Sequence, residues 1–214
     1  MASRNEPNMD GHDAHGARCA LAMSSPAPLR PLRPVRALGA PLLIIAIVAI
    51  VVPVGARQTK RLRPPDVRFV GTPQNVVEAM LDLARVTSAD VVYDLGSGDG
   101  RIPITAAAKY GARGVGIEID PARIRESLDN LARAGVGSRV RFVNQDLFDA
   151  DISGATVVTL FLLPRLNLEL MPKLKRELRP GARVVSHQFT MGDGWLPEMS
   201  RDVDGLMIYL WTIR

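Results

Sequence analysis

Cysteine is nearly absent from this chain: of 214 residues only Cys19 carries a thiol. A lone cysteine forms no intramolecular disulfide, and no ligand spacing surrounds it, so neither a disulfide framework nor a metal site is expected. Its predecessor, Arg18, suits a lipid-attachment site poorly. The phosphate-binding loop that ends in Gly-Lys-Ser/Thr is also missing, which excludes a Walker-type nucleotide site. Positive charge is missing where a nucleic-acid binder needs it. The formal net charge is +5, but residues 1–68 hold ten Lys/Arg against four Asp/Glu, whereas residues 69–214 hold seventeen against eighteen. Nucleic-acid binders concentrate basic residues on the folded domain, so no nucleic-acid partner is expected. There is no internal repeat.

What is present begins with a tail, residues 1–36, rich in Pro, Ala, Ser and Arg and without apolar periodicity, which reads as a disordered basic segment. Residues 37–56, ALGAPLLIIAIVAIVVPVGA, follow without a single charge. A run of about 20 apolar residues is enough to span a bilayer. Arg30, Arg33 and Arg36 precede it, and Arg57, Lys60, Arg61 and Arg63 follow it. Three readings compete: a buried core helix, which the basic, Pro-bearing flanks oppose; a secretory signal cleaved near Ala56; and a single membrane anchor. The segment before the run is long for a signal peptide, and the anchor is the preferred reading. The slight basic excess on the C-terminal side places the following domain in the cytoplasm; export after cleavage near Ala56 is the alternative.

Residues 57–68, with Pro64-Pro65, read as a linker, and residues 69–214 as the folded domain. Thr72-Pro73 reads as a helix start, Thr capping and Pro at the first helical position. Val76, Val77, Met80, Leu81 and Ala84 then recur at helical spacing. From residue 90 onward strand-like runs (91–95, 114–119, 140–144, 156–163, 183–189) alternate with helical patterns (roughly 100–110, 121–134, 165–178), and Pro172 is expected to split the last helix. This alternation predicts an α/β fold, a mostly parallel sheet covered on both faces. Asp204-Gly205 predicts a closing antiparallel hairpin, with Leu206–Ile213 as its second strand. No helix is evident between the fifth strand and the hairpin.

Ligands of open α/β sheets bind beyond the carboxyl ends of the strands. The glycine cluster of residues 94–100, DLGSGDG, occupies that place after the first strand. Read as a dinucleotide fingerprint, Gly96 and Gly98 fit, but Arg101 stands where the third glycine belongs. Asp94 and Asp99 would also repel a pyrophosphate, which is drawn to such helix starts by exposed N–H groups. A ligand with an ammonium and no phosphate fits better. S-adenosylmethionine has an ammonium, a sulfonium, a ribose diol and an adenine. Glu118, twenty residues after Gly98, can accept from the ribose hydroxyls, and Asp146 from the adenine amino group. Leu147 can meet the ring through its backbone, and Ile119 can pack on the ring face. Singly, each of these residues is equally a cap, a turn or a strand end. Their order at three successive strand ends is what points to a site.

On those residues the sequence resembles the class I S-adenosylmethionine-dependent methyltransferases: DLGSGDG at 94–100, GIEID at 116–120, NQDLF at 144–148, and Leu163-Pro164 after the fourth strand. FVGTPQNVVEAML, VVYDLGSGDGRI, GVGIEIDP and TLFLLPRLN are further similar to small bacterial relatives of the mitochondrial protein-lysine methyltransferases that act on the adenine nucleotide translocase and the c-ring protein of ATP synthase. The resemblance covers about residues 66–190. It implies a Rossmann-like class I methyltransferase sheet preceded by one transmembrane helix, S-adenosyl-L-methionine as cofactor, and a protein lysine as acceptor, with a membrane protein as one such substrate. It assigns Asp94, Gly96, Gly98 and Gly100 to the methionine end, Glu118 to ribose and Asp146 to adenine, and seats Thr72 over the cofactor; Ser97, with Ile119 and Leu147, completes the expected cofactor-binding set. Where the relatives carry Pro-Thr-Pro, this chain has Gly71-Thr72-Pro73.

Methyl transfer from a sulfonium mainly needs alignment and exclusion of water, so no nucleophile–base pair is expected. His187 is a weak candidate base, and a histidine simply satisfied at its strand end is the better reading. Phe161, Leu163 and Pro164 are expected on the acceptor side; they lack the Asn/Asp-Pro-Pro-aromatic element of many enzymes that methylate planar amines. An NAD-dependent oxidoreductase and a non-catalytic S-adenosylmethionine-binding module at the membrane remain the alternatives at this point.

Overall fold

A computed structural model describes residues 62–214; the tail 1–36, the apolar run 37–56 and the first five residues of the expected linker lie outside the described residues. Strands β1 (Val91–Leu95), β2 (Arg113–Glu118), β3 (Val140–Asn144), β4 (Val157–Leu160), β5 (Arg183–His187), β6 (Met199–Val203) and β7 (Leu206–Thr212) form one sheet, in the order β3-β2-β1-β4-β5-β7-β6. The first five pair in parallel, and β7 pairs antiparallel with both β5 and β6. Helices α1 (Gln74–Leu83), α2 (Arg101–Tyr110), α3 (Pro121–Ala134) and α4 (Pro164–Glu177) complete the elements. Among the described residues no helix is long and apolar enough to cross a membrane.

Successive strand residues point to opposite faces, and both faces are buried. Val92, Val157, Val185 and Ile208 pack with Val76, Val77, Met80 and Leu81 of α1 and Ile102 and Ala106 of α2. Tyr93, Leu95, Val158, Leu160, Val184 and Trp211 turn the other way, onto Leu166, Leu170 and Leu174 of α4. Helix α3 packs beside α2 and β3 through Leu131, Ala107 and Val140. Its start has a local cause: the Asp120 side chain accepts from the Ala122 N–H, and Pro121 holds the first helical position. The hairpin turns at Asp204 and Gly205, both at positive φ, the geometry that a two-residue turn between twisted strands requires.

Two expectations about the helices fail. Thr72 does not cap α1: Pro73 is the N-cap, with no side-chain cap bond, and the Thr72 hydroxyl instead lies 3.3 Å from His187 Nδ1. Pro172 does not split α4, which runs through it from 164 to 177. The burial of Leu166 and Leu170 before it and Leu174 after it holds both halves on the sheet, while Pro172 itself lies on the exposed side. An interior proline still removes one helical bond and crowds the preceding turn. Pro172→Ala is therefore expected to raise unfolding stability by about 1–3 kcal/mol, read as a higher urea midpoint at unchanged slope.

Candidate functional site: a cleft at the carboxyl ends of the strands

Strand β1 ends in a loop that only glycine accommodates well, with Gly96, Gly98 and Gly100 all at positive φ. The N–H groups of Gly96 and Ser97 both donate to the Ile117 carbonyl, at 2.9 and 3.0 Å, which pins the loop to the end of β2. Above it lies a cleft, open to solvent, bounded by the ends of β1, β2, β3 and β4. Of the residues expected at the cofactor, Thr72, Asp94, Gly96, Ser97, Glu118, Ile119, Asp146 and Leu147 line it.

Gly98 and Gly100 do not line it. A Cβ on Gly98 would lie 2.2 Å from the Phe69 ring, and one on Gly100 would lie 2.4 Å from Phe142 and 2.9 Å from Ser127. These glycines let Phe69 close down on the loop and let α2 seat against α3. Their evident contribution in this structure is the shape of the loop.

Three carboxylates stand in a row across the cleft. Asp94 is buried, and its Oδ1 accepts from the Thr159 hydroxyl at 2.7 Å. Burial pushes its pKa up to about 7; the Thr159 bond works against this, and the nearby Glu118 and Asp99 charges add to it. Glu118 accepts from two backbone N–H groups, Gly98 and Asp120, each at 2.8 Å, one on each oxygen. A carboxylate oxygen has a second lone pair, so both remain able to take a ribose hydroxyl. Asp146 accepts from the Phe148 N–H at 3.0 Å and from Arg63 Nε at 2.6 Å. Asp99 faces its own helix: Arg101 holds it through Nε and NH2, at 2.9 and 2.6 Å, and donates from NH1 to the Thr72 carbonyl at 2.7 Å.

The acceptor side differs from expectation in detail. Phe161 lines the cleft, but Leu163 is 46% exposed and Pro164 opens α4; Leu162 and Leu166 line the wall in their place. Strand β4 stops at Leu160, and the chain beyond it leaves the pleat, so that Phe161 and Leu162 both face the cleft and Leu162 lies over Gly96. His187 is 1% exposed and stands behind Thr72 and Phe161, its ring 4.0 Å from that of Phe161. It is not part of the cleft wall, and burial lowers its pKa. A base reaching a substrate directly is thus not what the fold builds at this position.

The largest omission is the stretch 63–70, of which 63–68 reads from sequence as linker. Arg63, Asp66, Val67, Arg68, Phe69 and Val70 all line the cleft. Arg63 ties this stretch to Asp146, 83 residues away. Hydrogen bonds to Asp146 first and Asp66 second raise its pKa. No local pattern announces such a contact; only Phe69 and Val70 fall within the quoted resemblance.

The donor set fits one cofactor. A buried carboxylate whose hydrogen bond comes from a neutral hydroxyl awaits a cation, and an acceptor with two free lone pairs awaits a diol. An ammonium, a ribose and an adenine amino group match Asp94, Glu118 and Asp146 in order along the strand ends. A pyrophosphate has no place beside Asp94 and Glu118. When bound, S-adenosylmethionine supplies a methyl on a sulfonium, and the surrounding residues orient it and keep water away.

Comparison with known proteins agrees. Residues 94–199 match the family described as the ANTKMT methyltransferase domain. The chain is 50% identical over 154 residues to a protein-lysine N-methyltransferase of Saccharolobus islandicus (strain REY15A), covering 70% of this chain and 95% of that one. To the mouse adenine nucleotide translocase lysine N-methyltransferase it is 37% identical over 132 residues, 61% of this chain and 56% of that protein. Among solved structures, an RNA methyltransferase from Salinibacter ruber in complex with S-adenosyl-L-homocysteine is 56% identical, with a TM-score of 0.66 over 67% of this chain and 94% of that one. With the fold, the row of carboxylates and these matches in agreement, the chain belongs to the S-adenosylmethionine-dependent methyltransferases of the ANTKMT methyltransferase domain family and is an enzyme of methyl transfer.

Proposed function

We propose that this enzyme N-methylates a lysine of a protein substrate, working from a single-pass anchor at residues 37–56 with its catalytic domain in the cytoplasm. The observation that carries the acceptor is the 50% identity with a protein-lysine N-methyltransferase across 95% of that protein's length. The site is compatible with it. Phe161, Leu162, Leu166 and Val67 give one side of the cleft an apolar wall suited to the aliphatic stem of a lysine. Lysine must arrive as a free amine, and its reference pKa of about 10.4 falls in an apolar site beside a sulfonium.

The Salinibacter relative, an RNA methyltransferase, supports a second reading. Against it, three of the four arginines that line the cleft are engaged by carboxylates, Arg63 by Asp146 and Asp66, Arg101 by Asp99 and Arg123 by Glu126, and only Arg68 is not. A phosphate backbone would have to displace those partners. Incubation of the full-length enzyme with a radiolabelled donor and membrane extract separates the two. The expected label is on a protein band, insensitive to ribonuclease, that releases methyl-lysine on acid hydrolysis. Label that disappears with ribonuclease and survives protease establishes RNA instead.

The anchor rests on the uncharged 20-residue run and its basic flanks. A reporter fused to the C terminus is expected to be active in the cytoplasm and to sediment with membranes. Activity confined to the outside would replace the anchor with a cleaved signal.

A further inference from the structure

Among the described residues, His187 is the most deeply buried ionisable side chain to which the site gives no role in binding. It is 1% exposed, its Nδ1 lies 3.3 Å from Thr72 Oγ1, its ring rests on Phe161, and its Nε2 has no hydrogen-bond partner among the described residues. Thr72 and Phe161 both line the cleft; His187 does not. The histidine therefore reaches the ligand through those two neighbours.

Which way the Thr72 hydroxyl points follows from where the imidazole keeps its proton. A buried N–H without a partner is among the rarest defects in folded proteins, whereas an unused lone pair is tolerated better. The unpartnered Nε2 is then the bare nitrogen, and Nδ1 carries the hydrogen and donates to Thr72 Oγ1. With its lone pair taken, the hydroxyl keeps its own hydrogen for the cleft. It becomes a donor and asks for an acceptor. Helix α1 begins two residues on, and no side chain caps it, so the same corner adds the positive end of a helix dipole. Across the cleft stands Asp94, the partner for an ammonium. An α-amino acid end, ammonium toward Asp94 and carboxylate toward Thr72, meets both.

We propose that His187 is a positioning residue for the cofactor: by donating from Nδ1 to Thr72 it turns the Thr72 hydroxyl outward as a hydrogen-bond donor to the methionine carboxylate. The inference rests on S-adenosylmethionine as the donor. It leaves the identity of the acceptor aside.

Two ligands test it by titration calorimetry on the full-length enzyme: S-adenosylhomocysteine, and S-adenosylthiopropylamine, which keeps the ammonium and lacks the carboxylate. Wild-type affinity for the first establishes the cofactor site; its absence overturns that reading before the histidine is at issue. Thr72→Val and His187→Phe, which keeps the ring against Phe161, are each expected to weaken S-adenosylhomocysteine binding about 10-fold, the value of one hydrogen bond to a charged group. The double variant is expected to lose no more than either single one, because both remove the same bond. Affinity for S-adenosylthiopropylamine should stay within about twofold in all of them. His187→Asn, whose amide N–H takes the place of Nδ1–H, is expected to restore most of the loss. Equal losses for both ligands make His187 a packing residue and overturn the proposal. So does an unchanged affinity in His187→Phe, or additive losses in the double variant. Should His187→Phe fail to fold, His187→Leu, which also lacks a donor, takes its place in the same comparison with the two ligands.

Discussion

Glu118→Ala is expected to lose S-adenosylhomocysteine binding by about 100- to 10,000-fold and to destabilise the apoenzyme by about 2–4 kcal/mol. The two losses have separate origins. Toward the ligand, the carboxylate offers one free lone pair on each oxygen to the ribose diol, and a hydrogen bond to a charged acceptor contributes about 1.5–3 kcal/mol. Toward the protein, the same oxygens hold the Gly98 and Asp120 N–H groups. One lies in the glycine loop and the other opens α3, so removing the carboxylate strands both donors in a part of the chain where Glu118 is 8% exposed. Glu118→Gln separates the roles. An amide keeps one acceptor oxygen for one N–H but turns an NH2 toward the other, so the loop loosens while the side chain remains. Equilibrium unfolding and calorimetry on the same samples check both parts. A Glu118→Ala enzyme with wild-type affinity would remove the ribose assignment, and one with wild-type stability would remove the structural one.

This double engagement also explains which parts of the site the sequence made legible. Glu118 ends β2, Asp94 lies one residue inside the end of β1 and Asp146 two residues beyond β3, and β1 and β3 fall where their apolar runs begin and end. Register in a parallel sheet then aligns those ends, with Asp94 opposite Gly116 and Glu118 opposite Asn144. Local pattern failed where the chain leaves the sheet. The run 156–163 reads as one strand of eight, but β4 covers only Val157–Leu160, because β1, its neighbour, turns away at Gly96. Phe161 and Leu162 are then free to line the cleft, and apolar side chains that pack against a loop have no period to betray them. The 63–70 stretch was illegible for the same reason. Arg63 and Phe69 are fixed by partners 83 and 29 residues away, and only the folded chain brings these together. Thr72 shows a subtler limit: Thr-Pro before a helix is a sound capping signal, and it lost to a hydrogen bond from the far strand β5.

Asp94→Asn is expected to move stability and binding in opposite directions, and pH sets the size of both. In the apoenzyme burial raises the Asp94 pKa to about 7, against about 3.9 in an unfolded chain. Between these values the unfolded state ionises and the folded state holds its proton. Stability from this group is therefore full below about pH 4, declines as pH rises to about 7, and is level above that, a loss of about 4 kcal/mol. Asn cannot ionise, and its oxygen can still accept from Thr159. The variant should match wild type in acid and exceed it in urea midpoint at pH 8. Binding runs the other way. An ammonium beside Asp94 favours the charged carboxylate, so the site takes up its ligand together with the loss of a proton below pH 7. Wild-type affinity for S-adenosylhomocysteine should rise about 10-fold per unit toward pH 7 and then level off. In Asp94→Asn that slope should vanish, with affinity at pH 8 lower on the order of 100-fold. Calorimetry in two buffers of different ionisation enthalpy measures the released proton directly at pH 6. A wild-type profile flat from pH 5.5 to 8, or a variant less stable than wild type at pH 8, would show that Asp94 is ionised without its ligand. The raised pKa would then be wrong, and with it the idea that this carboxylate is held in reserve, at the expense of the empty enzyme, for the charge it binds.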